Sequence, residues 1–128
     1  MKKQNNKNRI MFLGGGGAAS AFEKFPAYSA SKTAIVRSVE NLSRSYEQYN
    51  LSIFAIAPGA IKTKMLSKVL KQTSVGTKTS KDELYAFIKY YMENNSDKLN
   101  GKLVHIRDDK LKIENNTDNN YLTLRRIE

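Results

Sequence analysis

A tyrosine and a lysine four residues apart, Tyr28 and Lys32, are the side chains of this sequence best suited to chemistry. At i and i+4 on a helix both project from one face. An ammonium beside a phenol favours the phenolate and lowers a pKa that otherwise lies near 10. A phenol tuned in this way can exchange a proton with a carbonyl or hydroxyl oxygen. Spacing alone is weak support, because with 7 Tyr and 16 Lys in 128 residues about one such pair arises by chance. A second one, Tyr85-x-x-x-Lys89, is present. Context separates the two. Tyr28 opens a helix that is reached from a strand through four glycines, Gly14 to Gly17, whereas Tyr85 sits inside a helix already explained by the apolar stripe Leu84, Phe87, Ile88 and Tyr91.

The elements that must hold these residues follow from the apolar pattern. Ile10 to Leu13 is a short apolar run ending in the glycines and reads as a buried strand. After Pro26, the segment from Ala27 to about Tyr49 has no Gly or Pro and predicts a helix of about six turns. On it Ile35, Val39, Leu42, Tyr46 and Tyr49 share the core-facing side, topped by Tyr28 and Lys32. Ala27, Ala30, Ala34, Ser38, Asn41 and Ser45 form a face that reads equally as a contact for another helix or as a weakly polar surface, and Arg37, Glu40 and Arg44 fill the remaining arc. Leu51 to Ala57, closed by Pro58-Gly59, reads as a strand covered on both faces. A helix over Thr63 to Leu70 follows, then a flexible stretch from Gln72 to Thr79. The next helix starts at Ser80, where Ser80 and Glu83 have capping-box spacing, and is stopped by Asn100-Gly101. Lys102 to Ile106 is the third strand, and a last apolar patch spans Tyr121 to Leu124. This order predicts an α/β layer fold with right-handed crossovers.

Composition narrows the function classes. The chain carries 22 Lys or Arg and 12 Asp or Glu, a net charge of +10. Sixteen of the 22 are Lys, scattered from Lys2 to Lys112 among 12 Asn, which reads as background composition rather than a nucleic-acid patch. The absence of Cys excludes disulfides, iron–sulfur clusters and Cys-based zinc sites, no metal ligand set stands out, and the expectation is a cytoplasmic protein. No apolar run is long enough to span a bilayer, so no membrane role is expected.

Two runs in order, Tyr28-Ser29-Ala30-Ser31-Lys32-Thr33-Ala34 and Ala55-Ile56-Ala57-Pro58-Gly59-Ala60-Ile61-Lys62-Thr63, resemble the C-terminal half of the short-chain dehydrogenase/reductase family. There, the Tyr-x-x-x-Lys helix is followed by a strand ending in Pro-Gly and a Thr four residues beyond the Gly. The resemblance covers about Ile10 to Asp108. It implies about three strands with flanking helices, the C-terminal half of a Rossmann-like doubly wound parallel sheet. Residues 1–9 would be a polar basic tail, 10–108 a partial Rossmann-like dehydrogenase domain and 109–128 a polar extension. It further implies an oxidoreductase using NAD or NADP on a small carbonyl or alcohol. Tyr28 would be its acid/base, and Lys32 would hold the nicotinamide ribose and lower the Tyr28 pKa. Pro58, Gly59 and Ile61 would line the nicotinamide site, with Thr63 near the carboxamide. The residues after Thr63, through Gln72 to Thr79, would form a mobile lid over substrate.

Two departures qualify that expectation. Family members usually carry a Ser thirteen residues before the Tyr, and here that position is Gly15; Ser20, or backbone N–H groups of the glycine run, would have to serve the substrate oxygen. The pyrophosphate-binding turn also has no place before Ile10. Gly14-x-Gly16-x-x-Ala19 matches a relaxed dinucleotide fingerprint, but Pro26 breaks the helix it should start, and the next strand ends in Pro58-Gly59 instead of an acidic residue for ribose. The chain is therefore expected to be a truncated or split form, inactive alone, with a separately encoded N-terminal half and a homo-oligomeric contact through helix 27–49. The alternative is a non-catalytic remnant serving as a helix-mediated interaction module.

Overall fold

The computed structural model describes residues 8–71, 74, 78–93, 97–108 and 121–122. The elements in chain order are β1 (Asn8–Leu13), α1 (Pro26–Ser45), β2 (Leu51–Ala57), β3 (Ala60–Ile61), α2 (Lys64–Val69), β4 (Lys78–Thr79), α3 (Lys81–Glu93), β5 (Leu103–His105) and β6 (Tyr121–Leu122). The main sheet has the order β1-β2-β5-β6. Its first three strands are parallel, and β6 adds an antiparallel edge, so the sheet matches the expected partial Rossmann-like architecture. A separate two-residue ladder pairs β3 with β4.

Strand β2 is buried from Ser52 to Ala57 because its alternating side chains feed two cores. Ile53, Ala55 and Ala57 pack with Val36 and Val39 of α1 on one face. Phe54 and Ile56 pack with Phe87 and Tyr91 of α3, and with Leu99, on the other. Each of these large side chains contributes about 1.5–3 kcal/mol on burial, which ties both helices to one strand and fixes the edge where β2 ends.

Several boundaries differ from the sequence expectation. Helix α1 ends at Ser45, short of Tyr49, because the chain turns at Tyr46 (φ −116°) to enter β2. Its buried stripe is Val36, Val39, Glu40 and Ser43, so Glu40 does not belong to an exposed arc. The expected Ile35, Val39, Leu42 and Tyr46 still pack on the core; Gly101 covers the adjoining side, where its Cβ would lie 2.6 Å from Ser43 Oγ. Glu40 keeps its charge satisfied through Arg37 at 2.6 Å. Helix α3 starts as expected: Glu83 N–H donates to Ser80 Oγ at 3.1 Å, and Ser80 N–H donates to Glu83 Oε2 at 2.7 Å. It ends at Glu93 rather than at Asn100-Gly101. That pair instead leads into β5: Ile53 N–H donates to Asn100 Oδ1 at 2.8 Å, and Gly101, at φ +77°, donates its N–H to the Ile53 carbonyl at 2.8 Å. The stretch read as flexible contains β4, while 72–73 and 75–77 lie outside the described residues, as do 1–7 and most of 109–128.

One polar group in the α3 core is unsatisfied. Tyr91 Oη is buried and has no hydrogen-bond partner among the described residues. Burial, and then the Asp108 charge, push its pKa up to about 12. Tyr91→Phe is expected to raise unfolding free energy by about 1 kcal/mol, because it removes a buried hydroxyl without leaving a partner unpaired. Urea unfolding measures this. The sign with pH also follows. A phenol whose folded pKa exceeds its unfolded value near 10 contributes stability fully below that value and loses it as pH rises toward about 12. The Phe variant lacks that alkaline loss.

Candidate active site

The carboxyl ends of parallel strands are where α/β sheets gather their ligands, and the sequence-singled residues fall there. Strand β1 ends at Leu13, and Gly14 extends the ladder, donating its N–H to the Ile56 carbonyl at 2.8 Å. A Cβ on Gly14 would meet Leu103 Cδ1 at 2.7 Å and the Ile56 carbonyl oxygen at 3.2 Å, so a side chain here would have to displace the buried Leu103. A short 3₁₀ turn over Gly16–Ala18 then leads to Pro26 at the first turn of α1. A proline is well tolerated there, since the N–H it lacks would have no helical acceptor. The helix start places Tyr28 and Lys32 back against the loop.

Tyr28, Lys32 and Gly15 meet directly. A Cβ built on Gly15 would lie 2.5 Å from Tyr28 Oη and 3.4 Å from Lys32 Cγ. Gly17 supports the same ring, with its Cβ position 3.0 Å from Tyr28 Cε1. Phe22 meets the ring edge-on, with centroids 6.2 Å apart. Lys32 Nζ donates to the Leu13 carbonyl at 3.1 Å and stands 5.7 Å from the Tyr28 ring centroid, within cation–π range. An ammonium has three donors, and this carbonyl takes one. The sequence reading expected Lys32 to lower the phenol pKa, but burial pushes the Tyr28 phenol above its ordinary value. The physical reason is that the ring is sunk against the glycine run while the ammonium is tethered to Leu13.

The second motif lies at the end of the neighbouring strand. Pro58 is half-buried, and Gly59 takes φ +73°, a left-handed conformation that side chains resist. Its Cβ position is also closed, 2.5 Å from Thr79 Oγ1 and 3.1 Å from Arg107 Nη1. Ile61 is in β3, paired with Thr79. Thr63 caps α2, its hydroxyl oxygen accepting from Leu66 N–H at 3.1 Å, which leaves the hydroxyl proton for a ligand. Ser20 is exposed, with its N–H on the Gly16 carbonyl, and no described contact brings it to Tyr28. The control tyrosine, Tyr85, is 67% exposed on α3. Sequence reasoning missed Thr79 and Arg107, which no motif marks; the only trace was the glycine they crowd.

No helix among the described residues is long and apolar enough to cross a membrane. Residues 1–74 match the family model for short chain dehydrogenase. No match is found among curated proteins. Solved structures with the same fold include a short chain dehydrogenase from Pseudomonas syringae, at TM-score 0.67 and 19% identity, covering 83% of this chain and 43% of that one. The NADPH-bound carbonyl reductase from chicken fatty liver aligns at TM-score 0.62 and 18% identity, over 77% of this chain and 40% of that one. A 4-hydroxyisoleucine dehydrogenase complexed with NADH and succinate aligns at TM-score 0.61 and 20% identity, over 77% and 44%. The chain thus spans less than half the length of these structures.

Proposed function

The chain belongs to the short chain dehydrogenase family, and on that premise we propose that it carries the proton-transfer half of an NAD(P)-dependent oxidoreductase site for a carbonyl or alcohol. The observation that carries this reading is the seating of Tyr28 and Lys32 together on Gly15 at the carboxyl edge of the parallel sheet. NAD(P)H supplies the hydride when bound. Tyr28 Oη gives its proton to the substrate oxygen during reduction and takes it back during oxidation. Lys32 keeps its chain direction through the Leu13 carbonyl and turns its remaining N–H groups to ribose hydroxyls. The left-handed Gly59 turn and the Thr63 hydroxyl suit the flat nicotinamide end of such a cofactor. Gly14, packed on Leu103, is closed to its pyrophosphate.

In this reading residues 10–108 work with a further segment that carries a strand, a glycine-rich turn and a helix, in the same polypeptide or a separate one. The test is to titrate the chain with NADH and NADPH, alone and with such a segment, following nicotinamide fluorescence. Binding with the segment present is expected. Lys32→Ala should weaken it by about tenfold, the loss of one charge-assisted hydrogen bond. Binding unchanged in Lys32→Ala would sink the assignment of Lys32.

A second reading keeps the fold without turnover. The α1 face of Ala27, Ala30, Ala34, Ser38, Asn41 and Ser45 is exposed throughout, as a helix-on-helix contact with a second copy requires. A chain that stays monomeric in sedimentation has no use for that face.

A further inference from the structure

We infer that Arg107, which follows β5, is a positioning residue for the Pro58–Gly59 turn and for the segment that leaves it. Three stretches far apart in sequence converge there. A Cβ on Gly59 would lie 2.5 Å from Thr79 Oγ1 and 3.1 Å from Arg107 Nη1, so the hydroxyl and the guanidinium both rest on the backbone of the turn. Arg107 Nη2 donates to the Lys78 carbonyl at 3.3 Å and to Thr79 Oγ1 at 3.4 Å. Thr79 is 3% exposed, so its hydroxyl is held at this junction and not in solvent.

The ladder that joins β3 to β4 explains why a clasp is needed. It has two registered pairs, Ala60 with Lys78 and Ile61 with Thr79. Two pairs cannot hold a two-stranded ribbon in water unaided. They must also hold the ends of the intervening chain, α2 included, together against its entropy. The guanidinium adds a third element to that closure, its Nη2 reaching two acceptors while Nη1 stands against Gly59. The arginine is itself well seated. Its backbone N–H donates to His105 Nδ1 at 3.1 Å, and His105 N–H donates to Asp108 Oδ2 at 2.7 Å, which fixes the turn that presents it. Arg107 therefore sets how β3 and α2 lie against the sheet edge. This rests on the proposed function only for the ligand that the turn faces.

Limited trypsin digestion of the 128-residue chain tests the clasp without any cofactor. Lys62, Lys64, Lys68 and Lys71 are exposed cleavage sites within the clasped segment, and Lys24, Arg37 and Arg44 are exposed sites outside it. Arg107→Ala should speed cleavage at the first group by about fivefold, the change in open population that one net hydrogen bond supports. Cleavage at the second group should not change. Thr79→Val, which removes one acceptor and keeps the shape, should give a smaller rise at the same sites. Arg107→Lys should fall between arginine and alanine, since it keeps the charge and loses the planar group that spans Gly59 and β4. Unchanged cleavage in both Arg107→Ala and Thr79→Val, equal acceleration at all sites, or full protection by lysine would each overturn the inference. In the assembled enzyme Arg107→Ala should raise the cofactor KM with little change in turnover, and the reverse split would overturn it as well. The digestion pattern stands whether or not the chain binds NAD(P), so the two readings fail separately.

Discussion

Tyr28→Phe is expected to lower turnover by about 10²–10⁴-fold, the range for loss of a positioned general acid, while the fold and cofactor affinity stay as they were. The substitution removes only Oη. That atom lies over Gly15, and the ring contacts with Phe22 and Gly17 are kept by phenylalanine. Tyr85→Phe is the matched control: it sits in the same spacing before a lysine, yet 67% exposed on α3, and should leave the rate unchanged. The pH profile carries the sign of the Tyr28 shift. Burial raises this phenol above its ordinary value, so it holds its proton to higher pH than a free phenol does. Carbonyl reduction should be flat through neutral pH and fall only as the phenol ionises on the alkaline side, whereas alcohol oxidation, which needs the phenolate, should climb with pH. Steady-state rates of the assembled enzyme measure both limbs. A Tyr28→Phe variant as active as its parent would remove Tyr28 from the chemistry.

The parts of this site that a reader of the sequence can find are those encoded by local rules. Pro-Gly after a continuous apolar run marks the end of a doubly covered strand, because only a residue free of Cβ turns as Gly59 does at φ +73°. Ser80 and Glu83 announce the start of α3 because each side chain bonds the other's backbone N–H. Tyr28 and Lys32 share a face by helix geometry alone. What stayed hidden depends on neighbours distant in the chain. Glu40 reads as a solvent residue until the fold lays Gly101 against Ser43 and Glu40 and covers that side of α1. Asn100-Gly101 reads as a helix stop, and it does end a turn, but its side chain and backbone go to Ile53. Arg107 and Thr79 carry no motif at all, since their role exists only where β2, β4 and β5 come together.

The Tyr28 pKa shows the same division in electrostatic form. Spacing correctly sets the ammonium near the phenol, and Coulomb attraction alone would lower the pKa. How far the ring is buried cannot be read from spacing. With Lys32 Nζ held by Leu13 and the phenol sunk on the glycines, desolvation dominates. A pair that looks like an activated phenolate is, in this geometry, a loaded acid.

Gly15 stands where the family resemblance leads one to expect a serine, and its backbone does not explain the glycine. At φ 171° and ψ 159° it is extended, open to any residue. Space is the constraint, because a Cβ would stand 2.5 Å from Tyr28 Oη. The obstructing atom is the tip of a side chain with two rotatable bonds, so Tyr28 can swing aside and either variant should fold. Gly15→Ala moves the hydroxyl and offers nothing in return; a misplacement of about 1 Å at a reacting group costs on the order of 10²-fold. Gly15→Ser moves it by the same amount but sets an Oγ beside it, a donor for the substrate oxygen worth about 10²–10³-fold when preorganised. Serine is therefore expected to exceed alanine by about 10²-fold in turnover at matched stability, and the pair separates sterics from chemistry at one site. Equal rates for the two variants would mean that the substrate oxygen is not held at position 15, and the search for its partner would move to the backbone of the glycine run.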